Sequence, residues 1–433
     1  MNAAEQSFAA QLERARDGEP RFVAALRSSA RDAFLAAKLP TIKDEDWRFT
    51  NLAPLAGQAF SPGPLARATA ELPPAPRLVF ANGRLDPAAT DLGGLPAGVR
   101  VSSLAAALRE RPGAVEPRLG GAIAASARQP FVALNSALFE DGALVEIDDG
   151  VECQPTLHLV FSSGADRGGE RGATASHPRN LVVAGKGSSA TVVEHYLGRG
   201  AYLVNAVTEI SLGEGARLEH DRLQEDAPEA FHVGALHVAQ AGASRFAGQS
   251  MALGARLARV EARALLAAEE ASCDLHGLNV SSGAQVHDHF VHVDHASPRC
   301  TSREVFKGIL GDTSRGVFAG RILVRPGALK TDAGQISSSL LLSDDAVVDT
   351  KPQLEILADD VKCSHGGSVG QLRPDQLFYL RSRGVPEALA RALLTWAFAA
   401  EMVQRVGPEE LRARVRRAVT ARLPSGELLR EVA

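Results

Sequence analysis

The densest chemistry in the chain lies between His287 and His365. It opens with the run His287-Asp288-His289-Phe290-Val291-His292-Val293-Asp294-His295. Imidazoles and carboxylates ligate metals and carry protons. A strand repeats every two residues, so His287, His289, Val291, Val293 and His295 share one face. Asp288, Phe290, His292 and Asp294 share the other. His289 and His295 are then roughly 20 Å apart along an extended strand, too far to hold one ion. His287 and His289 would need help from a partner strand. Surface or stacked polar rungs account for the run more simply.

A second cluster follows, Ala358-Asp359-Asp360-Val361-Lys362-Cys363-Ser364-His365-Gly366-Gly367. Cys363 and His365 are two apart, so an extended backbone points both the same way. A soft thiolate beside an imidazole suits iron, zinc or a sulfur species. Lys362 is expected to lower the pKa of the neighbouring thiol. Gly366-Gly367 lets the backbone turn or lets another surface approach. The plainer reading is a buried Cys packed as a small hydrophobe and a hydrogen-bonded His. Two ligands do not complete a tetrahedral site, so any further ligands must come from elsewhere, such as another chain. A hydrolase with Cys363 as nucleophile fits poorly. Side chains two apart are badly placed for proton relay, and no strand–elbow–helix context precedes Cys363. No phosphate-binding loop is present either: Ala184-Gly185-Lys186-Gly187-Ser188-Ser189 lacks the required spacing. Nucleotide hydrolysis, where needed, falls to a partner.

A third segment, Leu377-Phe378-Tyr379-Leu380-Arg381-Ser382-Arg383-Gly384, sets large apolar and aromatic residues beside two arginines. That is the composition of interface anchors. Core packing of a small helical domain explains the apolar part equally well. The arginine-rich stretch Leu411–Arg422 reads as a solvated helix face, with a docking surface as the alternative.

The elements that must position these groups change in character along the chain. Phe8, Leu12 and Ala15 fall on one helical face, and Phe22, Leu26 and Ala30 continue the spacing in a second segment. Leu39-Pro40 is a stop, and Ser61–Pro76 reads as a linker or irregular loop. Arg77–Ala81 suggests a strand and Val101–Arg111 a helix. From about residue 131, short β-branched runs alternate with small turns, and no long helical pattern interrupts them for about 240 residues. Asp141-Gly142 and Asp149-Gly150 are hairpin signals at the start of this region, and none follows them. The turns recur at irregular multiples of roughly 13–15 residues, which favours a parallel β-helix over a sandwich. After residue 370 helical spacing returns. Pro374 and Pro386 sit as first-turn residues, and Leu389, Leu393, Trp396, Ala397 and Ala400 share a face. Three regions result: 1–130, helical and mixed with a Pro-rich linker; 131–370, the β-helix core; and 371–433, a helical domain.

Composition narrows the classes. The 433 residues carry net charge −4, so no global basic field recruits nucleic acid. Aromatics make up 5% and Gly is plentiful at 40, so the core must use Leu, Val, Ile and Ala in thin layers. The four cysteines, Cys153, Cys273, Cys300 and Cys363, form no CxxC pair. That excludes a disulfide framework and a self-contained cluster site, and fits a reducing compartment. No apolar stretch approaches a span of about 20 residues, and Met1–Arg16 lacks an apolar export core. A cytoplasmic protein without membrane contact is expected.

Several longer runs carry a resemblance. They are Cys300–Gly308 (CTSREVFKG), Gly316–Val324 (GVFAGRILV), Lys330–Ala333, Leu340–Asp345 (LLLSDD), Asp349–Ile356 (DTKPQLEI), Ala358–Gly366 (ADDVKCSHG), Val369–Leu372 and Leu377–Gly384 (LFYLRSRG). Glu45–Leu52 (EDWRFTNL) joins them. Together they resemble the SufB/SufD family of iron–sulfur cluster assembly scaffolds, and its SufD members more than its SufB members. The resemblance implies a right-handed parallel β-helix flanked by helical regions, and a non-catalytic scaffold of the SufBCD complex. It implies pairing with a SufB-like paralogue and docking of the SufC-like ABC ATPase on positions around Leu372–Arg405. Leu377, Phe378, Tyr379, Arg381 and Arg383 belong to that docking surface. It also implies that His365 is a metal ligand at the SufB junction, with Cys363 at the neighbouring family position. The cofactor would be an iron–sulfur cluster, held transiently and shared with the partner, with a role in iron acquisition. Flavin binding and homodimerisation of the isolated chain stay open. The reading from another class is a β-helix enzyme acting on carbohydrate. That enzyme needs sugar-stacking aromatics, whereas Trp47 and Trp396 both lie outside the β body.

Overall fold

The computed structural model describes residues 1–14, 18–64, 67–68, 71–123, 129–164 and 173–429. Its body is a parallel β-solenoid. Runs of about ten residues, β-branched or alternating, are long enough for one strand and too short for a helix. Tight turns then throw successive runs alternately into two sheets. One sheet includes Ser189–Arg199, Arg217–Glu225, Arg245–Ala252, Ser272–Ser281, Thr301–Leu310, Asp332–Leu341 and Lys362–Gly370. The other includes Tyr202–Leu212, Phe231–Gln240, Leu257–Leu266, Val286–His295, Arg315–Val324 and Val347–Ile356. Every strand here pairs in parallel with the one two ahead. Leu203 registers with Phe231, Phe231 with Leu257, and Leu257 with Val286, so these turns take 28, 26 and 29 residues. The recurrence of small turns in the sequence is half of this period, one corner per sheet.

One corner uses a left-handed backbone residue in turn after turn: Gly187, Gly215, Ala243, Glu270, Arg299, Lys330 and Asp360. Glycine fills it twice, where a side chain would be strained. The later turns force non-glycine residues into the same conformation. Gly142 has a different task. A β-carbon there would collide with the Arg179 carbonyl, so Asp141-Gly142 marks close strand approach and no hairpin. The tight antiparallel hairpin is Arg77–Ala81 with Arg84–Leu85, turning at Asn82-Gly83, and it closes the N-terminal end of one sheet.

The core is layered. Between the sheets lie Leu159, Val192, Val204, Ile210, Leu218, Val238, Leu275 and Val293 with many alanines, as the composition requires. N-terminal elements cover the outer face of the second sheet. Phe8, Phe34, Trp47 and Phe131 pack there against Leu203, Phe231, Val233 and Leu257. The first helix, Ala3–Leu12, starts at an Asn2–Glu5 capping box. Ala15 of its expected face is outside the described residues. The second, Arg21–Ala37, buries Val23, Ala30 and Phe34, with Phe22 and Leu26 packed at the margin of a neighbouring cluster. Part of the expected linker is ordered structure: Phe60–Pro62 is a strand paired with Ala173–Ser176. Residues 65–66 and 69–70 of it lie outside the described residues. The β texture also begins later than residue 131, because Pro130–Leu138 is a nearly fully buried helix. A short apolar run cannot be told from a buried strand by periodicity.

C-terminal helices Pro374–Ser382, Glu387–Gln404 and Glu409–Thr420 follow the last strand, and the latter two fold back over the first sheet. In the long helix the buried residues are Ala390, Ala392, Thr395, Ala399, Met402 and Val403, while Leu389, Leu393 and Trp396 are half-buried and pack at the margin of the same cluster. Small residues let the helix lie close on the sheet. Arg414 and Arg422 are tied to Glu225, at 3.2 and 3.7 Å, so part of the arginine-rich face holds the helix down.

Candidate functional site

The two ends of the solenoid differ. The N-terminal end is closed by antiparallel pairings, the short hairpin and Val99–Ser103 against Ala143–Ile147. At the other end, Val347–Ile356 and Lys362–Gly370 are each the last strand of a sheet, paired on one side only. None of their residues is fully buried. Unpaired backbone edges of this kind recruit another strand, and proteins usually blunt them. Here the edge is long and partly apolar: Val347, Ile356, Leu357 and Val369 are all exposed.

His365 and Cys363 stand on this last strand. Cys363 registers with Ala333 and His365 with Gln335. The two side chains have different surroundings. Cys363 is half-buried and packs with the terminal apolar cluster of Ile322, Val324, Ala328 and Ala333. His365 is exposed. Burial pushes the Cys363 thiol above its ordinary range; a backbone contact from Ala333 opposes this and Asp332 adds to it. The expected lowering by Lys362 is therefore overturned, because the thiol turns into the terminal core and the Lys362 side chain is exposed. Among the described residues no group of three or more His, Cys, Asp or Glu side chains could hold a metal ion.

The histidine run at 287–295 lies elsewhere. His287, His289 and His295 point into the lumen and are buried. His287 Nε2 meets the Gly254 carbonyl at 2.8 Å, His289 Nε2 the Ser250 hydroxyl at 3.0 Å, and His295 Nε2 the Ser302 hydroxyl at 3.0 Å. Burial pushes them down to about 4, 3 and 4, so they are neutral rungs of the core. On the opposite face, Asp288 accepts from Thr50 and Arg259, and Trp47 lies over the Arg259 guanidinium at 3.9 Å. The segment around Trp47 is a clasp on the solenoid wall, completed by Glu45 on Lys351 at 2.6 Å. Trp47 is buried in it and offers no platform for a sugar.

A buried polar pair that sequence reasoning missed sits one and two turns behind His365. Glu304 and Gln335 are buried in the lumen and hydrogen-bonded, in register with each other and, through Gln335, with His365. The alternation Ser302, Glu304, Phe306 carried the signal, since Phe306 marks the inward face.

Pro374–Ser382 begins four residues after the last strand ends. It buries none of its residues, so core packing does not explain its apolar side chains. Phe378 is 73% and Tyr379 57% exposed, and Leu377 is half-buried. Arg383 lies over the Tyr379 ring at 5.1 Å, and Arg381 reaches Glu387 at 3.5 Å. With half-exposed Leu389, Leu393 and Trp396 on the next helix, this end carries both an open sheet edge and exposed aromatic anchors.

Comparison with known proteins agrees with this layout. Residues 166–398 match the family described as "SUF system FeS cluster assembly, SufBD core domain", and residues 74–159 match "SufBD protein N-terminal region". An iron-sulfur cluster assembly SufBD family protein of Synechocystis is 34% identical over 92% of this chain and 90% of its own. The iron-sulfur cluster assembly protein SufD of Escherichia coli is 33% identical over 90% of this chain and 91% of its own. A chloroplastic protein of Arabidopsis thaliana, ABCI7, is 27% identical over 91% of this chain and 85% of its own. No helix among the described residues is long and apolar enough to cross a membrane. With a matched core spanning more than half its length and relatives aligned almost end to end, the chain belongs to the SufB/SufD family of iron–sulfur cluster assembly proteins.

Proposed function

We propose that the chain is a non-catalytic scaffold of the SufD type, pairing end to end with a SufB-like solenoid and docking a SufC-like ABC ATPase on its C-terminal helices. The observation that carries this reading is the open solenoid end: two unpaired parallel edge strands, one of them bearing exposed His365. A second solenoid added there would continue both ladders by strand addition. Full-length identity to a protein named SufD supports the SufD side of the family. His365 then lies at the seam between the two chains.

Iron and sulfide are cargo at this seam. Imidazole is a borderline ligand that holds iron while thiolates from the partner hold the rest of the nascent cluster. Cys363 contributes less, because its thiol keeps its proton in the terminal core. ATP hydrolysis belongs to the docked ATPase, and its movement loads the junction. The test is cluster reconstitution on the assembled complex carrying His365→Ala. The expected result is normal assembly with strongly reduced cluster and iron content. Full cluster yield would remove His365 from the site.

A further inference from the structure

The lumen behind the open end holds a carboxyl group with no counter-charge. Glu304 is 1% exposed and Gln335 is 0% exposed. The Gln335 amide nitrogen donates to one Glu304 oxygen. The other Glu304 oxygen and the Gln335 carbonyl oxygen are both buried with no donor in reach. Gly320 lies opposite, where a β-carbon would strike the Gln335 side chain, so the amide is confined. An ionised carboxylate would leave two acceptors unsatisfied in a dry site, each costly. A protonated carboxyl would turn the unpartnered Glu304 oxygen into a hydroxyl donor beside the unpartnered Gln335 carbonyl, so that acid and amide could satisfy each other.

The surroundings offer nothing to stabilise an anion there. On the preceding strand the Cys273 thiol faces Glu304, and burial and Glu304 together raise its pKa. His295 holds the Ser302 hydroxyl, and His289 lies against Phe306 with ring centroids 5.1 Å apart; both imidazoles are neutral. Burial pushes the Glu304 carboxyl up to about 8, and the Gln335 contact opposes that rise.

We infer that Glu304 is a neutral carboxylic acid in the free chain and that it releases its proton when a divalent cation binds at His365, two strands away across Gln335. The second half rests on the reading of His365 proposed above. The step balances as carboxylic acid plus cation giving carboxylate, bound cation and one proton, which leaves to solvent at the open end. Two strand spacings put the charges roughly 10 Å apart. A doubly charged ion at that distance lowers the acid by about one to two pH units. The protein thereby supplies a negative charge only when iron arrives, and hands out a proton as it does.

The test uses the full chain, alone and assembled, with Glu304→Gln as the variant. A glutamine there can pair with Gln335 in the same way, so folding is preserved. Difference infrared spectroscopy between the two should show a carboxylic acid band at neutral pH that disappears as pH rises past about 8. No such band at neutral pH overturns the neutral acid. Ferrous iron added anaerobically to the complex in weak buffer should bleach the band in the wild type and release one proton more per iron than in Glu304→Gln, where only the ligands themselves give up protons. Iron bound with the band intact refutes the coupling. If iron uptake is identical in wild type and His365→Ala, the His365 reading fails and the coupling with it, while the band still decides the state of Glu304.

Discussion

The exposed helix Pro374–Ser382 gives the most direct test of docking. Phe378 is 73% exposed and lies on a helix that buries none of its own residues. A phenylalanine presents about 200 Å² of surface, so about 150 Å² is available to a partner. Burying that area contributes about 3.75 kcal/mol at roughly 25 cal/mol per Å². At 1.4 kcal/mol per tenfold, Phe378→Ala should weaken ATPase binding by roughly 500-fold. Tyr379, 57% exposed, should lose somewhat less. Calorimetric titration of the purified ATPase against wild-type and variant chains reads the affinity directly. Thermal unfolding supplies the control. Alanine is a better helix former than phenylalanine, so the midpoint should hold or rise slightly. Affinity within twofold of wild type for the double variant would refute the docking surface. A fall in the unfolding midpoint would show that the ring packs within the chain and that the area argument was misapplied.

Three further outcomes concern the scaffold. Arg259 is buried between Glu261 and Asp288; Glu261 also has Arg263 at 3.7 Å, so Arg259→Met should leave Asp288 as the buried carboxylate without a cation and destabilise the chain by about 3–5 kcal/mol, read from urea unfolding; a loss below about 1 kcal/mol would show the clasp to be peripheral. Ala243 is left-handed at the corner that glycine fills at 215, so Ala243→Gly should stabilise and Gly215→Ala destabilise, by about 1 kcal/mol each; equal midpoints would show that the corner relaxes. Stability should also fall on both sides of neutrality. His287, His289 and His295 bind protons near 6.5 when unfolded but only near 4, 3 and 4 when folded, so their contribution is lost as pH falls from about 6.5 toward 4. Glu304 runs the other way: its folded value is raised to about 8 from an ordinary 4.5, so its contribution is lost as pH rises across that interval. A urea midpoint that stays flat between pH 6.5 and 4.5 would contradict the histidine assignment.

Much of the solenoid was legible because a strand and a turn are local events. Leu203–Leu212 and His232–Val238 stand out by β-branched content and Arg217–Leu223 by its flanking turns, and the structure extends each by a residue or more. Arg245–Ala252 and Lys362–Gly370 do not stand out. Their glycines, serines and alanines have little strand preference, and the parallel partners on the neighbouring turn impose the conformation. The inward alternation of His287, His289 and His295 was readable, but their burial was not, because what closes the lumen is the opposite sheet. The long C-terminal helix misled for a related reason. Its large residues share a face, yet close contact with a sheet selects small ones for full burial, and Leu389, Leu393 and Trp396 pack only at the margin. Asn82-Gly83 was a plain hairpin signal in the sequence. Cys363 and His365 were locatable as a pair, whereas their unlike environments follow from the strand being the last.

Were an ATPase to dock on the exposed helix as proposed, the position of that helix would decide how its work reaches the strand bearing His365. Only residues 371–373 separate Gly370, the end of the last strand, from Pro374. Gln371 is hydrogen-bonded to Asp344 on the preceding turn, at 3.1 Å. The long helix Glu387–Gln404 is anchored by burial, and Lys307 ties it to Thr301–Leu310 through Glu401 at 2.6 Å. A load on Phe378 therefore meets a firm support on one side and the terminal strand on the other. That strand is paired on one edge only and has no buried residue, so it is the weaker of the two. Under the proposed docking, the strand bearing His365 should yield first. The solenoid needs no dedicated hinge for this: its final strand is paired on one side only and has no buried residue, and under the proposed pairing a partner's strands would supply the missing support.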